Sequence, residues 1–307
     1  MKKEITFIDL FAGIGGIRLA FERNSMRCVF SSEWDKFAQQ TYFENFKEMP
    51  KGDITKISTD DIPNHNILTG GFPCQPFSSI GKRQGFSHKT QGNLFFEIVR
   101  ILKAKEPRAF MLENVLGIKT INNGETFKAI MEELRVLGYK VTFLELDSKD
   151  YGVPQKRVRV YFVGFLTKTA SFNYIEPEIK PEFISKFIEK DIKGYDMSDS
   201  IINNYLFKKD DGRPEIVDEN SDIQVKTLVS TYHKIQRLTG TFVRDTGRIR
   251  LLSENECKAI MGFPKDFKFP VSRTQMYRQM GNSVAVPVVE DIAKQMKEFL
   301  IANDKSI

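Results

Sequence analysis

At 307 residues, with 41% apolar and 28% charged side chains, the chain is long enough to bury a sizeable core and too apolar for a disordered protein. The formal charge of +6 is modest, and three widely spaced cysteines (Cys28, Cys74, Cys257) with three histidines make neither a disulfide framework nor a zinc pattern, so a reducing compartment and no metal are expected. Asp9 and Arg18 interrupt the apolar run behind Lys2 and Lys3 that could suggest a secretory signal, and no segment reaches the roughly 20 apolar residues of a membrane span, so a soluble, cytoplasmic protein is expected.

Ile5-Thr6-Phe7-Ile8-Asp9-Leu10 is a short β-rich run ended by a glycine turn, after which Ile17 to Phe21 resume with helical spacing. Further strands are predicted at 27–32, 66–69, 109–112, 141–146 and 158–165, alternating with helices at 35–46, 93–105 and 124–137. That alternation predicts an α/β fold with a doubly wound, mostly parallel sheet and helices on both faces, its ligands at the carboxyl ends of the strands. Between about 168 and 250 the alternation stops and Lys, Asp, Pro and Asn increase, which marks a candidate second domain. From Glu254 the helical pattern returns, and 286–301 reads as an amphipathic closing helix. The expected division is a catalytic, cofactor-binding domain of residues 1–168 and 265–307 and a small domain of residues 169–264.

Phe11-Ala12-Gly13-Ile14-Gly15-Gly16 follows the first strand and opens a helix, so bare backbone can approach a ligand at a helix N-terminus. Glu33 ends the second strand at the spacing where a carboxylate accepts bonds from ribose hydroxyls. Arg18 stands where the third glycine of the dinucleotide fingerprint belongs, so nothing provides for a pyrophosphate and a nucleoside cofactor fits better. Trp34, with Asp53 and Ile54 after the next turn, suggests an apolar slot for a base and a carboxylate for its exocyclic amine; a core aromatic is the other reading of Trp34.

Cys74 lies in Gly70-Gly71-Phe72-Pro73-Cys74-Gln75-Pro76-Phe77-Ser78, between two prolines at a turn. Structural cysteines usually sit inside helices or strands as small hydrophobes, whereas glycines here let other groups approach, so Cys74 reads as a nucleophile. Taken in order, the glycine turn, Pro73-Cys74, Glu113-Asn114-Val115, Gln155-Lys156-Arg157-Val158-Arg159 and Gln279-Met280-Gly281-Asn282-Ser283-Val284 resemble the DNA cytosine-5 methyltransferases of the compact prokaryotic restriction-modification type. The resemblance covers nearly everything except residues 168–225. It implies S-adenosylmethionine as cofactor and S-adenosylhomocysteine as product, a Rossmann-like large domain, and a small domain holding target-recognition loops. It also implies sequence-specific action on double-stranded DNA by a monomer, with a cognate restriction endonuclease acting on the same site without an obligate complex.

Cytosine C5 is too weak a nucleophile to take a methyl group until the ring is activated by addition at C6, and a Cys74 thiolate suits that attack. Under the resemblance Glu113 holds a proton at N3, which requires a raised pKa; Arg159 grips O2, Arg157 holds the thiolate region and backbone, and Asn114 shapes the pocket. Pro73, Leu94, Asn282, Ser283 and Val284 join Phe11, Gly13, Ile14, Gly15, Gly16, Glu33, Trp34, Asp53 and Ile54 around the cofactor. Residues 78–93, with Ser78, Lys82 and Arg83 and no acid, match the loop that closes over a flipped base. Gln91 precedes Gly92 where the family often has an arginine. Thr227-Leu228 matches a threonine-leucine signature that precedes a recognition loop, in which Lys234, Gln236, Arg237 and Arg244 carry long donors suited to base edges. They fall in residues 226–250, where six basic residues face Asp245 alone; a phosphate-binding cluster and a solvated basic loop both fit that pattern. Methylation of RNA on the same scaffold is the runner-up, but the Cys-Phe-Thr signature of the tRNA-acting branch is absent. An inactive DNA-binding protein would have lost catalytic residues that are present here, and a nicotinamide oxidoreductase would need the missing glycine.

Overall fold

A period of two along each central strand sends alternate side chains to opposite faces, and here both faces are apolar. In the computed structural model, which describes residues 4–73, 94–167 and 170–303, this produces a six-stranded sheet with a core on either side. The strands are β1 (Thr6–Leu10), β2 (Arg27–Ser32), β3 (Ile67–Gly71), β4 (Ala109–Val115), β5 (Lys140–Asp147) and β6 (Val158–Phe165), in the order β2-β1-β3-β4-β6-β5. β1 pairs parallel with β2 and β3, and β3 with β4, whereas β6 runs antiparallel to both neighbours. The sheet is therefore mostly parallel, as expected, with one reversed strand that hydropathy does not reveal.

The helices are α1 (Gly16–Arg23), α2 (Lys36–Phe46), α3 (Leu94–Lys105), α4 (Glu125–Val136), the single turn α5 (Asp199–Ile201), α6 (Glu254–Met261), α7 (Arg273–Asn282) and α8 (Val286–Ala302). Phe7, Ile67, Met111 and Val163 share a core with Ile17 and Phe21 of α1 and Val288 and Ile292 of α8. Ile8, Leu68, Phe110 and Phe162 face the other way, onto Phe95 and Ile98 of α3 and Ile130 and Leu134 of α4. Among the described residues no helix is long and apolar enough to cross a membrane.

The region without alternation contains a second, three-stranded sheet: β7 (Glu215–Val217) parallel to β8 (Thr241–Asp245), and β8 antiparallel to β9 (Arg248–Arg250). Thr246 and Gly247, both at positive φ (49° and 82°), make the two-residue turn whose twist suits a hairpin. The first core continues without a break through Met197, Val217, Phe242 and Ile260, so the divisions expected near 168 and 264 fall inside one apolar cluster.

Arg250 anchors this sheet. It is fully buried, and each of its five N–H donors has a partner. Nε donates to Asp245 (3.0 Å), the terminal nitrogens to the two Glu256 oxygens (2.8 Å each), to Glu189 O (2.6 Å) and to Leu251 O (3.1 Å). Glu256 also closes a capping box with Ser253 at the start of α6, a pairing legible as Ser-x-x-Glu in the sequence. Although burial opposes it, the N–H groups of Asp191 and Ile192 together with Arg250 hold the Asp245 carboxyl below its ordinary range. Removing the guanidinium leaves two buried carboxylates uncompensated, so Arg250→Ala is expected to lose about 3–5 kcal/mol of stability. Urea unfolding followed by circular dichroism measures it; a change below about 1 kcal/mol would show that the cluster is readily rehydrated.

Candidate active site

A cavity of about 730 Å³ opens at the carboxyl ends of β1 to β4, within the range that holds a nucleoside-sized ligand. The turn after β1 forms its floor. Phe11 and Gly13 hold positive φ (55° and 56°), which presents the Gly13 N–H to Glu33 Oε2 at 2.8 Å. Glu33 is buried, its other oxygen accepts from Asp35 N at 2.7 Å, and burial raises its pKa against the pull of these N–H groups. Phe11, Gly13, Ile14 and Gly16 line the cavity. Gly15 does not: at φ 85° it turns the chain, and a Cβ there would strike the Phe46 ring, so its place is behind the cavity wall. Arg18, where the third glycine is missing, is buried among Glu22 and Glu48 (2.7 Å each) and Tyr42 (3.1 Å), over the Phe46 ring.

Trp34 is 79% exposed at the cavity rim, which excludes the core-aromatic reading. Asp53 caps the following turn, and the hydroxyl and N–H of Thr55 hold its carboxyl below the ordinary range. Asp53, Ile54, Pro73 and Leu94 all face the cavity. Asn282, Ser283 and Val284, at the end of α7, form the opposite wall. A Cβ on Gly16 would lie 2.7 Å from Ser283 Oγ, so the two walls meet only because that position is bare. The floor, the rim carboxylates and the apolar platform suit a nucleoside carrying a small polar tail.

Deeper in the cavity, Gly71 of β3 pairs with Glu113 of β4, and the lack of a side chain at 71 leaves room for the carboxyl. Burial raises the Glu113 pKa; Arg159, whose Nε lies 3.2 Å from Oε1, and Arg157 oppose that rise. Asn114 is buried and donates to Phe72 O (2.9 Å), which fixes the chain two residues before Cys74. Arg157, also buried, donates to Leu228 O (2.9 Å), Gly281 O (3.0 Å) and Ser283 O (2.6 Å); burial lowers its pKa and Arg159 adds to the effect. Cys74, Ser78, Lys82 and Arg83 lie outside the described residues.

The expected recognition residues separate into two kinds. Lys234 and Arg244 are exposed. Thr227 donates its hydroxyl to Lys156 O (2.7 Å), and Gln236 accepts from the Thr231 and Thr239 hydroxyls, closing its own loop. Arg237 corrects the sequence reading: it is buried and all three of its guanidinium nitrogens donate within the protein, so it is turned inward and not toward a base edge. Arg250 is likewise buried, and Arg248 pairs with Asp191 and Asp196, so the basic run presents far less free charge than its composition implies. Gln275, Arg278 and Gln279 of α7 line the cavity and were missed. Their spacing with Asn282, at i, i+3, i+4 and i+7, would have placed them on one helix face.

Residues 5–298 match the family model described as C-5 cytosine-specific DNA methylase. The Type II methyltransferase M.MspI of Moraxella sp is 58% identical over 295 residues, covering 95% of this chain and 70% of that protein. M.BsuFI of Bacillus subtilis, also a Type II methyltransferase, is 53% identical over 99% of this chain and 75% of its own length. Among solved structures, Spodoptera frugiperda DNMT2 has a TM-score of 0.80 at 20% identity, covering 96% of this chain and all (100%) of that one. Entamoeba histolytica methyltransferase EhMeth has a TM-score of 0.77 at 22% identity, over 97% and 99% of the two chains. At such identity the structural likeness shows the fold alone.

Beneath the glycine turn, Asp9 of β1 is fully buried; one oxygen accepts from Thr69 (3.2 Å) and Oδ2 has no partner among the described residues. Burial pushes its pKa from 3.8 up to about 7. Between those values the native state keeps a proton that the unfolded chain releases, so this group makes stability fall as pH rises through that window. Asp9→Asn is expected to flatten the urea midpoint between about pH 4 and 7. A midpoint profile parallel to that of the parent would mean that Asp9 is charged throughout.

Proposed function

We infer the chemistry of this chain from the family to which it belongs, the C-5 cytosine-specific DNA methylases. The chain is a DNA cytosine-5 methyltransferase of restriction-modification type. On our reading it uses S-adenosylmethionine to methylate C5 of a cytosine turned out of double-stranded DNA, through an adduct of Cys74 at C6. The observation that carries this reading is Glu113, a largely buried carboxyl with a raised pKa and an arginine at 3.2 Å, in the same cavity as the Glu33 and Trp34 cradle.

Glu33, Trp34, Asp53 and the glycine turn would hold the cofactor, with Asn282, Ser283 and Val284 closing over it. S-adenosylmethionine, when bound, supplies an electrophilic methyl group. The target base must leave the duplex stack, at a cost of a few kcal/mol, to reach Glu113. Cys74 then forms a bond to C6, electron density moves toward N3, and Glu113 holds the proton there while Arg159 grips O2. The ring thereby gains a nucleophilic C5. After C5 is methylated, loss of its proton and expulsion of the Cys74 thiolate restore the aromatic base. Asn114 supports the approach by fixing the Phe72 carbonyl just before Pro73 and Cys74. Arg244 and Lys234, being exposed, are the donors we assign to DNA. The enzyme acts as a cytoplasmic monomer, alongside a restriction endonuclease that cuts the same site.

Bisulfite sequencing of DNA from cells expressing the gene tests the activity and reveals the target; labelled methyl transfer to tRNA but not to duplex DNA would favour the RNA reading. Glu33→Ala and Asp53→Ala are each expected to weaken cofactor binding by about 1–3 kcal/mol in calorimetry, and unaltered affinity in both would place the cofactor elsewhere. Cys74→Ala is expected to abolish transfer with cofactor affinity retained, and Glu113→Gln to slow single turnover by roughly 10² to 10⁴. Near-parental turnover in either variant removes that residue from its role.

A further inference from the structure

The cavity carries its charge unevenly. Its lining acids, Glu33, Asp35, Asp53 and Glu113, all come from the first half of the chain, whereas α7 contributes Gln275, Arg278 and Gln279 and no acid. Of the lining arginines, Arg159 pairs with Glu113 and Arg157 is engaged by backbone carbonyls, while the exposed Arg278 makes no ion pair among the described residues. The two glutamines also carry unmatched polar atoms. Gln279 is 7% exposed; its Oε1 accepts from the buried Thr41 hydroxyl of α2 at 2.9 Å, and its Nε2 has no partner among the described residues. One turn earlier on the same helix face, Gln275 buries an Oε1 that is likewise without a partner among them. Buried polar groups are normally satisfied, and here a donor and an acceptor stand one turn apart on a face that lines the cavity.

The combination selects among polar tails. A phosphate uses donors and a cation but sets an anion against the Gln275 carbonyl, and a neutral hydroxyl tail leaves Arg278 unanswered. An amino-acid tail matches all three groups, because its carboxylate takes donors and a cation while its ammonium takes an acceptor. A carboxylate is also driven toward α7 by the four acids that line the rest of the cavity. We propose that α7 reads the amino-acid end of the cofactor: the Gln279 amide donates to the carboxylate, the Gln275 carbonyl accepts from the ammonium, and Arg278 attracts the carboxylate from the rim. Thr41 is the positioning residue, since its hydroxyl fixes which end of the Gln279 amide is left to the ligand. The proposal rests on the reading that S-adenosylmethionine occupies this cavity.

The test is calorimetry of the full chain with S-adenosylhomocysteine and with its decarboxylated analogue, which keeps the nucleoside, the sulfur and the amine. Gln279→Leu is expected to weaken S-adenosylhomocysteine about tenfold to a hundredfold and to leave the analogue at its parental affinity. Thr41→Val, which frees the amide to rotate, should give a smaller loss with the same preference. On the ammonium side, Gln275→Glu should bind S-adenosylhomocysteine at least as well as the parent, and Gln275→Lys about tenfold more weakly. Parental affinity for S-adenosylhomocysteine in Gln279→Leu overturns the proposal. So does an equal loss on both ligands, which assigns the amide to holding α7 against α2. Where Gln279→Leu binds neither ligand, the half-buried position 275 decides, and equal affinities of its Glu and Lys variants overturn the proposal. A parent that binds neither ligand refutes the S-adenosylmethionine reading itself, and the proposal with it.

Discussion

One buried guanidinium joins the parts of this molecule that must act together. Arg157, just before β6, holds the carbonyls of Leu228, Gly281 and Ser283, so the segment at Leu228 and the cavity wall at Gly281–Ser283 share a single guanidinium. A second contact reinforces it: a Cβ on Gly281 would lie 2.1 Å from Ser230 N, so the two backbones pack directly on each other. Gln155 extends the seam, accepting from Leu228 N at 2.7 Å and donating to Ile260 O at 2.8 Å. A cation buried in this way is tolerated because carbonyl dipoles replace its water, and its loss would strand those carbonyls.

The cavity gives its two glutamates, Glu33 and Glu113, different partners. Glu33 is gripped by backbone N–H groups of the glycine turn and of Asp35, which fixes its position and leaves acceptor capacity for hydroxyls. Glu113 faces a charged side chain instead, that of Arg159, in a pocket whose burial raises its pKa. Environments that differ in this way give two carboxyls of one type different chemical characters side by side.

The basic run of residues 226–250 shows where composition misleads. Charge counted along a sequence says nothing of direction, and here Arg237 and Arg250 turn inward to organise loops while Lys234 and Arg244 remain in water. Free charge lies also on 208–213, a stretch whose mixed lysines and aspartates give it no distinctive composition. A buried arginine with every donor engaged stabilises a loop; the same residue with free donors reads a groove.

Much of the fold and site was legible from local chemistry. Short β-rich runs located β2 and β6 at their observed bounds, and the glycine turn announced the backbone floor, because each depends on residues close in sequence. The reversal of β6, the small sheet and the inward course of Arg237 were not legible. Strand direction depends on which distant edge is free, strands of three residues carry no readable period, and a side chain's direction depends on carbonyls that only folding gathers. The sequence by itself determined which residues could do the chemistry, since reactivity belongs to residue type and neighbourhood. Tertiary structure alone decided that Glu113 and Arg159 stand 3.2 Å apart, because it sets strand register and the burial that raises a carboxyl's pKa.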